Sequence, residues 1–425
     1  MSKINVLIFP DGEVNSAELH DALATCVNIN LYGASSVERH GRYLFRNHIP
    51  ALPKINEPDF YDRLNDVIKT YSIDVLIPTH DTVSLELIEN RERIKCIVLG
   101  GDKHTAHICR SKKQTYDLFK DCDFVPGIYA DKDNITYPAF IKPDEGQGSK
   151  GAKILHNASE LEGIDLDEYV VCEFLPGEEF TVDCLTDKNG NLCFISPRSR
   201  QRTLAGICTH GRNEQLTDEI RDIARTINSK LKFSGLWYFQ IKRDANNKFK
   251  LLEISNRCAG TMCLTRARGV NLPLLSVYVA MGREVKAMAN PYNINIDRTL
   301  INRYEIDYQY DAVYFDLDDT IIVNDEVNLN AIRFLYQCFN KTIPVYLLTK
   351  HAHIVPETLS RHAIAPTLFK EIIHIPENLH KSDFIRSKRP ILIDNAFAER
   401  DEVANALKIP VFDVDAIEVL LDWRI

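Results

Sequence analysis

The stretch Tyr137–Gly151, YPAFIKPDEGQGSKG, has the composition of a phosphate-binding loop. A short apolar run ends at Lys142 and is followed by Gly146, Gly148 and Gly151. Glycine permits positive φ, so such a loop can turn its N–H groups toward an anion, and Lys142 adds a fixed positive charge. A polyphosphate fits this pattern, and an ordinary glycine-rich hairpin is the alternative. The spacing differs from the Walker pattern, in which four residues separate the glycines and Lys-Ser/Thr follows.

A predicted β-hairpin supplies a candidate metal site. Its strands, LWYFQIKRD and KFKLLEISNR, are joined by the turn 245–247, so Gln240 and Glu253 should lie on paired strands and could face one site. A Glu inside the apolar run LLEIS is costly to bury unless a cation or a donor meets it. Mg²⁺ takes oxygen ligands and also binds nucleotide phosphates. A salt bridge from Glu253 to Arg257 is the alternative.

Three apolar segments near the C-terminus, 312–315, 344–348 and 390–393, each read as a strand that ends in polar side chains. The carboxyl ends of parallel strands meet at one edge of a sheet, where ligands bind. Grouped carboxylates repel one another unless a cation joins them, so Mg²⁺ is implied here as well. The residues that would meet at this edge are Asp316, Asp318, Thr349 and Asp394, with Lys381 between the last two strands.

The elements before these motifs predict a parallel α/β sheet. Four strands, 5–9, 27–32, 73–78 and 95–99, alternate with polar turns and helical segments. His80 and Asp81 follow the third strand and are therefore candidate substrate contacts. The alternative is that they cap the next helix, since Asp is a good N-cap residue.

A basic cluster, Arg198, Arg200 and Arg202, lies in the segment PRSRQRTLAG. Three guanidinium groups together could hold a phosphate or a carboxylate. Alternating charges on an exposed strand edge would give the same sequence.

Composition limits the class of protein. The 425 residues are enough for two or three domains, and 45% hydrophobic with 26% charged residues is typical of a globular chain. A net charge of −9 argues against nucleic acid as the main partner. No apolar run approaches the ~18–20 residues of a membrane span, and the start MSKINVLIFP has too short an apolar core for a signal peptide. The eleven cysteines are scattered without a CxxC pair, which predicts reduced, mostly buried thiols in a cytoplasmic protein.

Taken in order, several motifs resemble the ATP-grasp superfamily, and within it the carbamoyl-phosphate-synthase-like amide ligases, over roughly the first 290 residues. The motifs are Lys112 with Thr115-Tyr116, the loop 142–151, Glu173-Phe174-Leu175, the segment 177–183, Gln240, and the segment 253–257. The resemblance implies ATP and Mg²⁺ as cofactors, and formation of an amide from a carboxylate and an amine through an acylphosphate.

The same resemblance assigns roles to residues. The implied nucleotide contacts are Lys112, Lys142, Gly146, Gly148, Ser149, Glu173, Phe174, Leu175 and Glu179, and the implied substrate contacts are Arg200 and Arg257. The implied metal ligands are Gln240, Glu253 and Asn256. The last is a departure, because the family has Glu-Ile-Asn-Pro-Arg where this chain reads Glu-Ile-Ser-Asn-Arg. Ser255 thus replaces an amide ligand, so either a second metal ion binds weakly or Asn256 serves as a ligand through a local shift.

The C-terminal part, from Asp311 onward, resembles the haloacid dehalogenase superfamily of phosphohydrolases through its DxDxT pattern. The resemblance implies Asp316 as nucleophile and Asp318 as general acid and base. The implied phosphoryl-binding residues are Thr349 and Lys381, and the implied magnesium ligands are Asp316, Asp318 and Asp394. Asn395 stands where an acidic residue is frequent, and Glu399 or Asp401 could compensate. The 28 residues from 321 to 348 and the 31 from 350 to 380 leave no room for a cap domain.

The sequence therefore predicts an α/β, bifunctional enzyme that is both an ATP-dependent carboxylate–amine ligase and a Mg²⁺-dependent phosphohydrolase. The predicted domains are an N-terminal parallel α/β domain (1–104), an ATP-grasp α+β domain (105–295), a linker (296–310) and a Rossmann-like, uncapped phosphatase domain (311–425). The predicted partners are a small carboxylate, an amine and a phosphorylated small molecule, with no nucleic acid or membrane and with a homodimer left open. A nucleotide-binding or substrate-recognition protein with an inactive ligase half is the alternative.

Overall fold

The computed structural model describes residues 3–146, 148 and 150–424. They divide into two compact units, which comprise residues up to Leu300 and residues 301–424. Each unit is organised around a parallel five-stranded sheet of its own.

The N-terminal unit begins with the first of these sheets. Its elements are β1 (Ile4–Phe9), α1 (Val14–Leu23), β2 (Ile29–Ala34), β3 (Asn47–Ile49), α2 (Phe60–Thr70), β4 (Val75–Pro78), α3 (Asp81–Glu89), β5 (Ile97–Val98), α4 (Lys103–Arg110) and α5 (Lys112–Leu118). The strand order is β3-β2-β1-β4-β5 and every pairing is parallel. The predicted parallel α/β sheet is confirmed, with β3 as a strand that the sequence did not indicate. The order reverses between β1 and β4, which places their carboxyl ends at the usual ligand-binding crevice.

Antiparallel sheets form the rest of this unit. The elements are β6 (Ala139–Pro143), β7 (Lys153–Leu155), β8 (Tyr169–Glu173), β9 (Glu179–Thr186), β10 (Leu192–Ser199), β11 (Arg202–Leu204), β12 (Ile207–Arg212), α6 (Asp218–Lys230), β13 (Gly235–Arg243), β14 (Phe249–Ser255), α7 (Cys263–Ala267), α8 (Leu272–Ala280) and β15 (Asn295–Asp297). They make sheets of order β7-β6-β8, β10-β9-β13-β14 and β11-β12-β15. The four-stranded sheet packs on the apolar face of α6 through Ile223, Ile227, Trp237 and Phe239, because the helix places Ile220, Ile223 and Ile227 at helical spacing on one side.

The C-terminal unit repeats the strand order of the first sheet. Its elements are β16 (Ala312–Phe315), β17 (Ile322–Val323), β18 (Glu326–Val327), α9 (Leu329–Asn340), β19 (Val345–Thr349), α10 (Val355–Arg361), β20 (Glu371–His374), β21 (Pro390–Ile393), α11 (Phe397–Leu407), β22 (Val411–Phe412) and α12 (Ile417–Leu420). The order β20-β19-β16-β21-β22 is wholly parallel. Strand β16 is buried throughout, as expected for a central strand covered on both faces.

Two sequence expectations concern the whole chain. In the part that the structure describes, no helix is both long enough and apolar enough to cross a bilayer. All eleven cysteines carry free thiols, but only five are buried, while five are partly buried and Cys193 is exposed. Burial of the thiols is therefore less complete than predicted, because several lie at the edges of the elements and not in their centres.

Candidate functional site

Most residues with predicted nucleotide or metal roles line one cleft in the N-terminal unit. Side chains of the small sheet (β6, β7 and β8) form part of its wall, and side chains of β9, β13 and β14 form another part. The predicted residues that line it are Lys112, Lys142, Gly146, Gly148, Glu173, Phe174, Leu175, Glu179, Arg200, Gln240 and Glu253. Ser149, which was also predicted, lies outside the described residues. The cleft thus gathers residues that are more than 140 positions apart in the chain.

The two predicted metal ligands in the cleft are direct cross-strand partners. Gln240 on β13 pairs with Glu253 on β14, and the register shifts immediately after this pair. Both side chains line the cleft and both are partly buried. An amide oxygen and a carboxylate at this position have the donor chemistry that Mg²⁺ prefers. The alternative pairing of Glu253 with Arg257 does not form, because Arg257 binds Asp81.

Two lysines bring positive charge to the same cleft. The Nζ of Lys142 donates to the hydroxyl of Tyr116 at 2.6 Å and to the carbonyl of Leu252 at 3.0 Å. The Nζ of Lys112 donates to the carbonyls of Asp144, at 3.0 Å, and Gly146, at 3.3 Å. Burial lowers the pKa of both ammonium groups. A phosphate in the cleft would therefore compensate two desolvated cations whose present partners are mainly neutral.

The helix that carries Lys112 is fixed by its cap. Ser111 accepts a hydrogen bond from the N–H of Gln114, which makes it the N-cap of α5 and places Lys112 in the first turn. Its hydroxyl also donates to the carboxylate of Asp144 at 2.8 Å. The start of α5 is thereby attached to the segment that leads into the loop of residues 146–151, which we call the glycine loop. The Ser111–Asp144 contact therefore holds Lys112 next to this loop.

Part of the cleft wall is apolar. Phe140, Ile154, Cys172, Phe174 and Leu175 all contribute to it. A flat, weakly polar group such as a nucleobase fits a wall of this composition.

The carboxylates of the predicted nucleotide contacts have partners within the protein. The carboxylate of Glu173 accepts a hydrogen bond from the N–H of Gly127 at 2.8 Å. Glu179 forms an ion pair with Arg200 at 2.6 Å. Since both residues of this pair line the cleft, a ligand that engages Glu179 would also meet Arg200.

The predicted cluster of three arginines does not form. Arg198 is buried and makes a two-point ion pair with Asp183 at 2.9 Å for each bond. Arg202 binds Asp297 at 2.8 Å on the exposed side of β11. Only Arg200 lines the cleft. Both interpretations of the cluster are therefore wrong for Arg198, because its partner Asp183 lies in the core. Strand β10 ends at Ser199, so Arg200 does not continue the alternation that would place it on the same face as Arg198.

Sequence reasoning missed a contact made by the turn between β11 and β12. Gly206 in this turn has a φ of +76°, and a Cβ placed on it would lie 2.5 Å from the carbonyl carbon of Gly148. The carbonyl of Gly206 accepts a hydrogen bond from Arg200 at 3.0 Å. The turn therefore closes against the glycine loop, and two glycine backbones meet where side chains would not fit. The short segment Leu-Ala-Gly before Ile207 was the sequence signal that could have predicted this turn.

Asp81 and Arg257 form a second feature of this unit, at the carboxyl end of β4. The carboxylate accepts from Nε at 2.7 Å and from a terminal nitrogen at 2.8 Å. Burial opposes ionisation of both groups, but the mutual attraction lowers the pKa of Asp81 and holds that of Arg257 well above its usual range. His80 is the N-cap residue of α3 and its side chain makes no capping hydrogen bond, while Asp81 is the first residue of the helix and its carboxylate binds Arg257, so the capping interpretation is wrong.

Asn256 does not join the predicted metal ligands. Its side chain is buried, and its Oδ1 accepts a hydrogen bond from Ser84 on α3 at 3.4 Å. It is not among the residues that line the cleft. Ser255 is likewise directed to Asp81, at 3.3 Å. The structure therefore brings Gln240 and Glu253 together but leaves the predicted third ligand in the core.

The predicted carboxylate site of the C-terminal unit is assembled around Lys381. The Nζ of this buried lysine lies 2.7 Å from Asp316 and 2.5 Å from Asp394. These aspartates follow β16 and β21, which are parallel neighbours at the point where the strand order reverses. Thr349, at the end of β19, is fully buried beside them in the sheet.

The charges at this site do not balance. Burial raises the pKa of Asp316 to about 6, and nearby Asp394 and Asp318 act in the same direction against the attraction of Lys381. Burial would lower the pKa of Lys381, but the two carboxylates outweigh it and raise that pKa. One ammonium group faces two buried carboxylates, so the site can accept another cation. Oxygen donors of this kind suit Mg²⁺.

The predicted magnesium ligands are not arranged around a common point. Among the described residues, no group of three or more His, Cys, Asp or Glu side chains could hold a metal ion as placed. The expected compensation for Asn395 is also missing. Glu399 binds Lys350 at 2.6 Å and Asp401 accepts from Asn405 at 3.0 Å, so neither carboxylate is directed to the site.

Comparison with known proteins identifies the fold of the N-terminal unit. Residues 165–299 match the family described as ATP-grasp in the biosynthetic pathway with Ter operon. This part of the N-terminal unit is therefore similar to an ATP-grasp family. The matched segment contains the β9–β10–β13–β14 sheet, and with it the Gln240–Glu253 pair of the ATP-grasp cleft.

Individual relatives agree with this assignment. The 3-methyl-D-ornithine–L-lysine ligase of Methanosarcina barkeri is 27% identical over 157 residues, which are 36% of this chain and 40% of the relative, so the chain matches less than half of it. The L-amino acid ligase of Bacillus licheniformis shares 17% identity at a TM-score of 0.53, over 66% of this chain and 75% of the other. N5-carboxyaminoimidazole synthetase of Staphylococcus aureus, solved with ADP, shares 15% identity at 0.56, over 68% and 80%. The two structural similarities concern the fold alone.

Proposed function

We propose that the N-terminal unit is an ATP-dependent carboxylate–amine ligase that takes an amino acid as one substrate. The observation that carries this proposal is the single cleft that contains Lys112, Lys142, the glycine loop and the Gln240–Glu253 pair. The choice of an amino acid is supported by the names of two relatives, which are ligases of amino acids.

Different residues of the cleft would bind different parts of the nucleotide. Lys112 and Lys142 would neutralise phosphate oxygens, and the backbone N–H groups of Gly146 and Gly148, which line the cleft, would donate to them. Gln240 and Glu253 would hold Mg²⁺, which supplies further charge neutralisation on the phosphates. The apolar wall accepts the base. The protein therefore contributes mainly orientation and charge, which is what phosphoryl transfer requires.

In the proposed reaction a substrate carboxylate oxygen attacks the γ-phosphorus of ATP, and the bond to the β,γ-bridging oxygen breaks to release ADP. The amine of the second substrate then attacks the acyl carbon, loses a proton and displaces phosphate, so that an amide remains. For the substrate carboxylate we propose Arg257, whose guanidinium is permanently charged and partly exposed, and which lies outside the set of residues that line the cleft. Its partner Asp81 fixes the orientation of the guanidinium and would attract an amino group.

The test is ADP release from MgATP with pairs of amino acids, followed by mass spectrometry of the product. We expect ADP formation that depends on a carboxylate and an amine together. Binding of MgATP without ADP release on a complete panel of amino acids would favour the alternative, a nucleotide-binding protein in which Ser255 has removed a ligand needed for catalysis. No binding of MgATP would contradict both.

We also propose that the C-terminal unit is a phosphohydrolase that uses an aspartyl-phosphate. The observation that favours this second function is the contact of buried Lys381 with Asp316 and Asp394 at the carboxyl edge of a parallel sheet. A reactive carboxylate beside a fixed cation at this position is suited to receive a phosphoryl group.

In this reaction a carboxylate oxygen of Asp316 attacks phosphorus, the bond to the leaving oxygen breaks, and Asp318 gives that oxygen a proton. Asp318 then removes a proton from water, which attacks the phosphorus of the aspartyl-phosphate and restores Asp316 with release of phosphate. Thr349 and Lys381 hold the phosphoryl oxygens. Asp316 and Asp394 would hold Mg²⁺, which would neutralise the negative charge that Lys381 alone leaves uncompensated. Both carboxylates would have to move from their present positions around Lys381 to coordinate the ion.

The test is phosphate release from nitrophenyl phosphate and from a panel of phosphorylated metabolites, with and without Mg²⁺. We expect hydrolysis that needs Mg²⁺ and that is abolished by EDTA. A wild-type protein that hydrolyses none of these esters would contradict the phosphohydrolase proposal without affecting the ligase proposal.

A further inference from the structure

We propose that His351 is a positioning residue that fixes the orientation of the Asp318 carboxylate for proton transfer to the leaving group. This inference rests on the proposed phosphohydrolase function. The Nδ1 of His351 lies 2.8 Å and 2.9 Å from the two carboxylate oxygens of Asp318. The Asp318 side chain itself is 53% exposed, so without this contact it would be free to rotate in solvent.

The imidazole is held firmly enough to position another group. His351 is buried, and its Nε2 lies 2.7 Å from the hydroxyl of Thr358 on α10. Its carbonyl accepts a hydrogen bond from Nε2 of His374 at 2.7 Å. Because Nε2 faces the Thr358 hydroxyl, which can donate to it, the neutral ring can keep its proton on Nδ1, facing Asp318. The ring is thereby fixed in place.

His351 also contacts both Thr349, which would hold a phosphoryl oxygen, and Asp318, which would protonate the leaving oxygen. Its backbone N–H donates to Oγ1 of Thr349 at 3.2 Å, and its ring contacts Asp318. A hydroxyl that accepts from an N–H can direct its own proton elsewhere, here toward a phosphoryl oxygen. One buried residue therefore sets the distance between the group that holds the phosphoryl oxygen and the group that protonates the leaving oxygen. Such alignment is worth most when the leaving group needs a proton.

The experiment compares two substrates that differ in this need. Nitrophenyl phosphate has a stable leaving anion, whereas a simple alkyl phosphate requires protonation of its leaving oxygen. We expect His351→Ala to lower the rate of phosphoryl-enzyme formation from the alkyl ester by about tenfold or more, through loss of general acid catalysis, and to change the rate of phosphoryl-enzyme formation from nitrophenyl phosphate much less. Both rates are measured by acid-quenched labelling, before the breakdown step that the two substrates share. His351→Asn, which keeps an N–H near the position of Nδ1, should restore much of the ratio between the two substrates.

Two further variants complete the design. Thr358→Val removes the hydroxyl that faces Nε2 and should shift the ratio in the same direction but less. His353→Ala is the matched control, since His353 is exposed and stacks edge-on against His351 at 5.4 Å between ring centroids, and it should leave the ratio unchanged. If His351→Ala does not fold, the Asn and Val variants carry the test.

The outcomes are distinguishable. An equal loss on both substrates that Asn does not rescue would show a purely structural role and would overturn the proposal, as would a ratio that no variant changes. A wild-type protein that hydrolyses neither ester would overturn the phosphohydrolase function and this inference together. A changed ratio with rescue by Asn would support both.

Discussion

Asp81 and Arg257 are 176 positions apart in the sequence and form a two-point ion pair at 2.7 and 2.8 Å. The pair joins the first residue of α3 to the segment that follows β14. Because Asp81 neutralises this arginine, Glu253 keeps its carboxylate for the cleft. One long-range contact thus settles which acidic residue is available to a metal ion.

Replacement of Asp81 by Asn should destabilise the N-terminal unit by about 1–3 kcal/mol, because a partly buried guanidinium loses its charged partner. The attraction lowers the pKa of Asp81, so its contribution is complete above the ordinary pKa of Asp, about 4, and is lost as the pH falls below it. Urea denaturation from pH 3 to pH 8 measures this. The double variant with Arg257→Met should recover part of the loss, and a difference that stays constant across the pH range would refute the assignment.

Lys142→Ala and Glu253→Ala should each weaken binding of MgATP by about 2–4 kcal/mol, since each removes an oriented charge from the cleft. Isothermal titration with MgATP measures the effect. Lys248→Ala is the control, because Lys248 is an exposed lysine in the turn of the same hairpin. Equal affinities in all four proteins would mean that the cleft is not the nucleotide site.

Gly206→Ala should weaken binding of MgATP through the glycine loop. A Cβ at this position would meet the backbone of Gly148 at 2.5 Å, so the loop or the turn must move. Gly163→Ala is a closely matched control, since Gly163 has the same φ of +76° but no atom within 4 Å of the added Cβ. Both variants carry the backbone strain, and only Gly206→Ala should raise the Kd for MgATP. The idea fails if the two variants bind equally well.

Asp316→Asn should abolish ester hydrolysis and leave binding of MgATP by the ATP-grasp cleft intact, because an amide of the same shape is a poor nucleophile. Asp318→Asn should allow some phosphoryl-enzyme to form and slow its breakdown by about 100- to 10,000-fold. Phosphate release and acid-quenched labelling measure the two steps. Asp319→Asn serves as the control, since Asp319 is exposed and its φ of +53° suits Asn. A fully active Asp316→Asn would show that the nucleophile is misassigned.

The sequence by itself determined the central strands of both parallel sheets and several of the residues at their ends. Alternating and continuous apolar runs predicted β1, β4, β16 and β21, and the hairpin turn predicted that Gln240 and Glu253 would face each other. These predictions succeeded because strand periodicity and a short hairpin connection are local properties, and because parallel strands always bring their carboxyl ends to one edge.

Only the tertiary structure decided how side chains with the same chemistry are used. Arg198 and Arg200 look alike in the sequence, yet one is buried on Asp183 and the other lines the cleft. Tertiary partners also decide the positions of Asn256, which Ser84 holds in the core, and of His351, which contacts Asp318. Each outcome depends on a partner brought in by packing from a distant part of the chain. Burial makes such polar pairings obligatory, and the local sequence does not record which partner packing supplies.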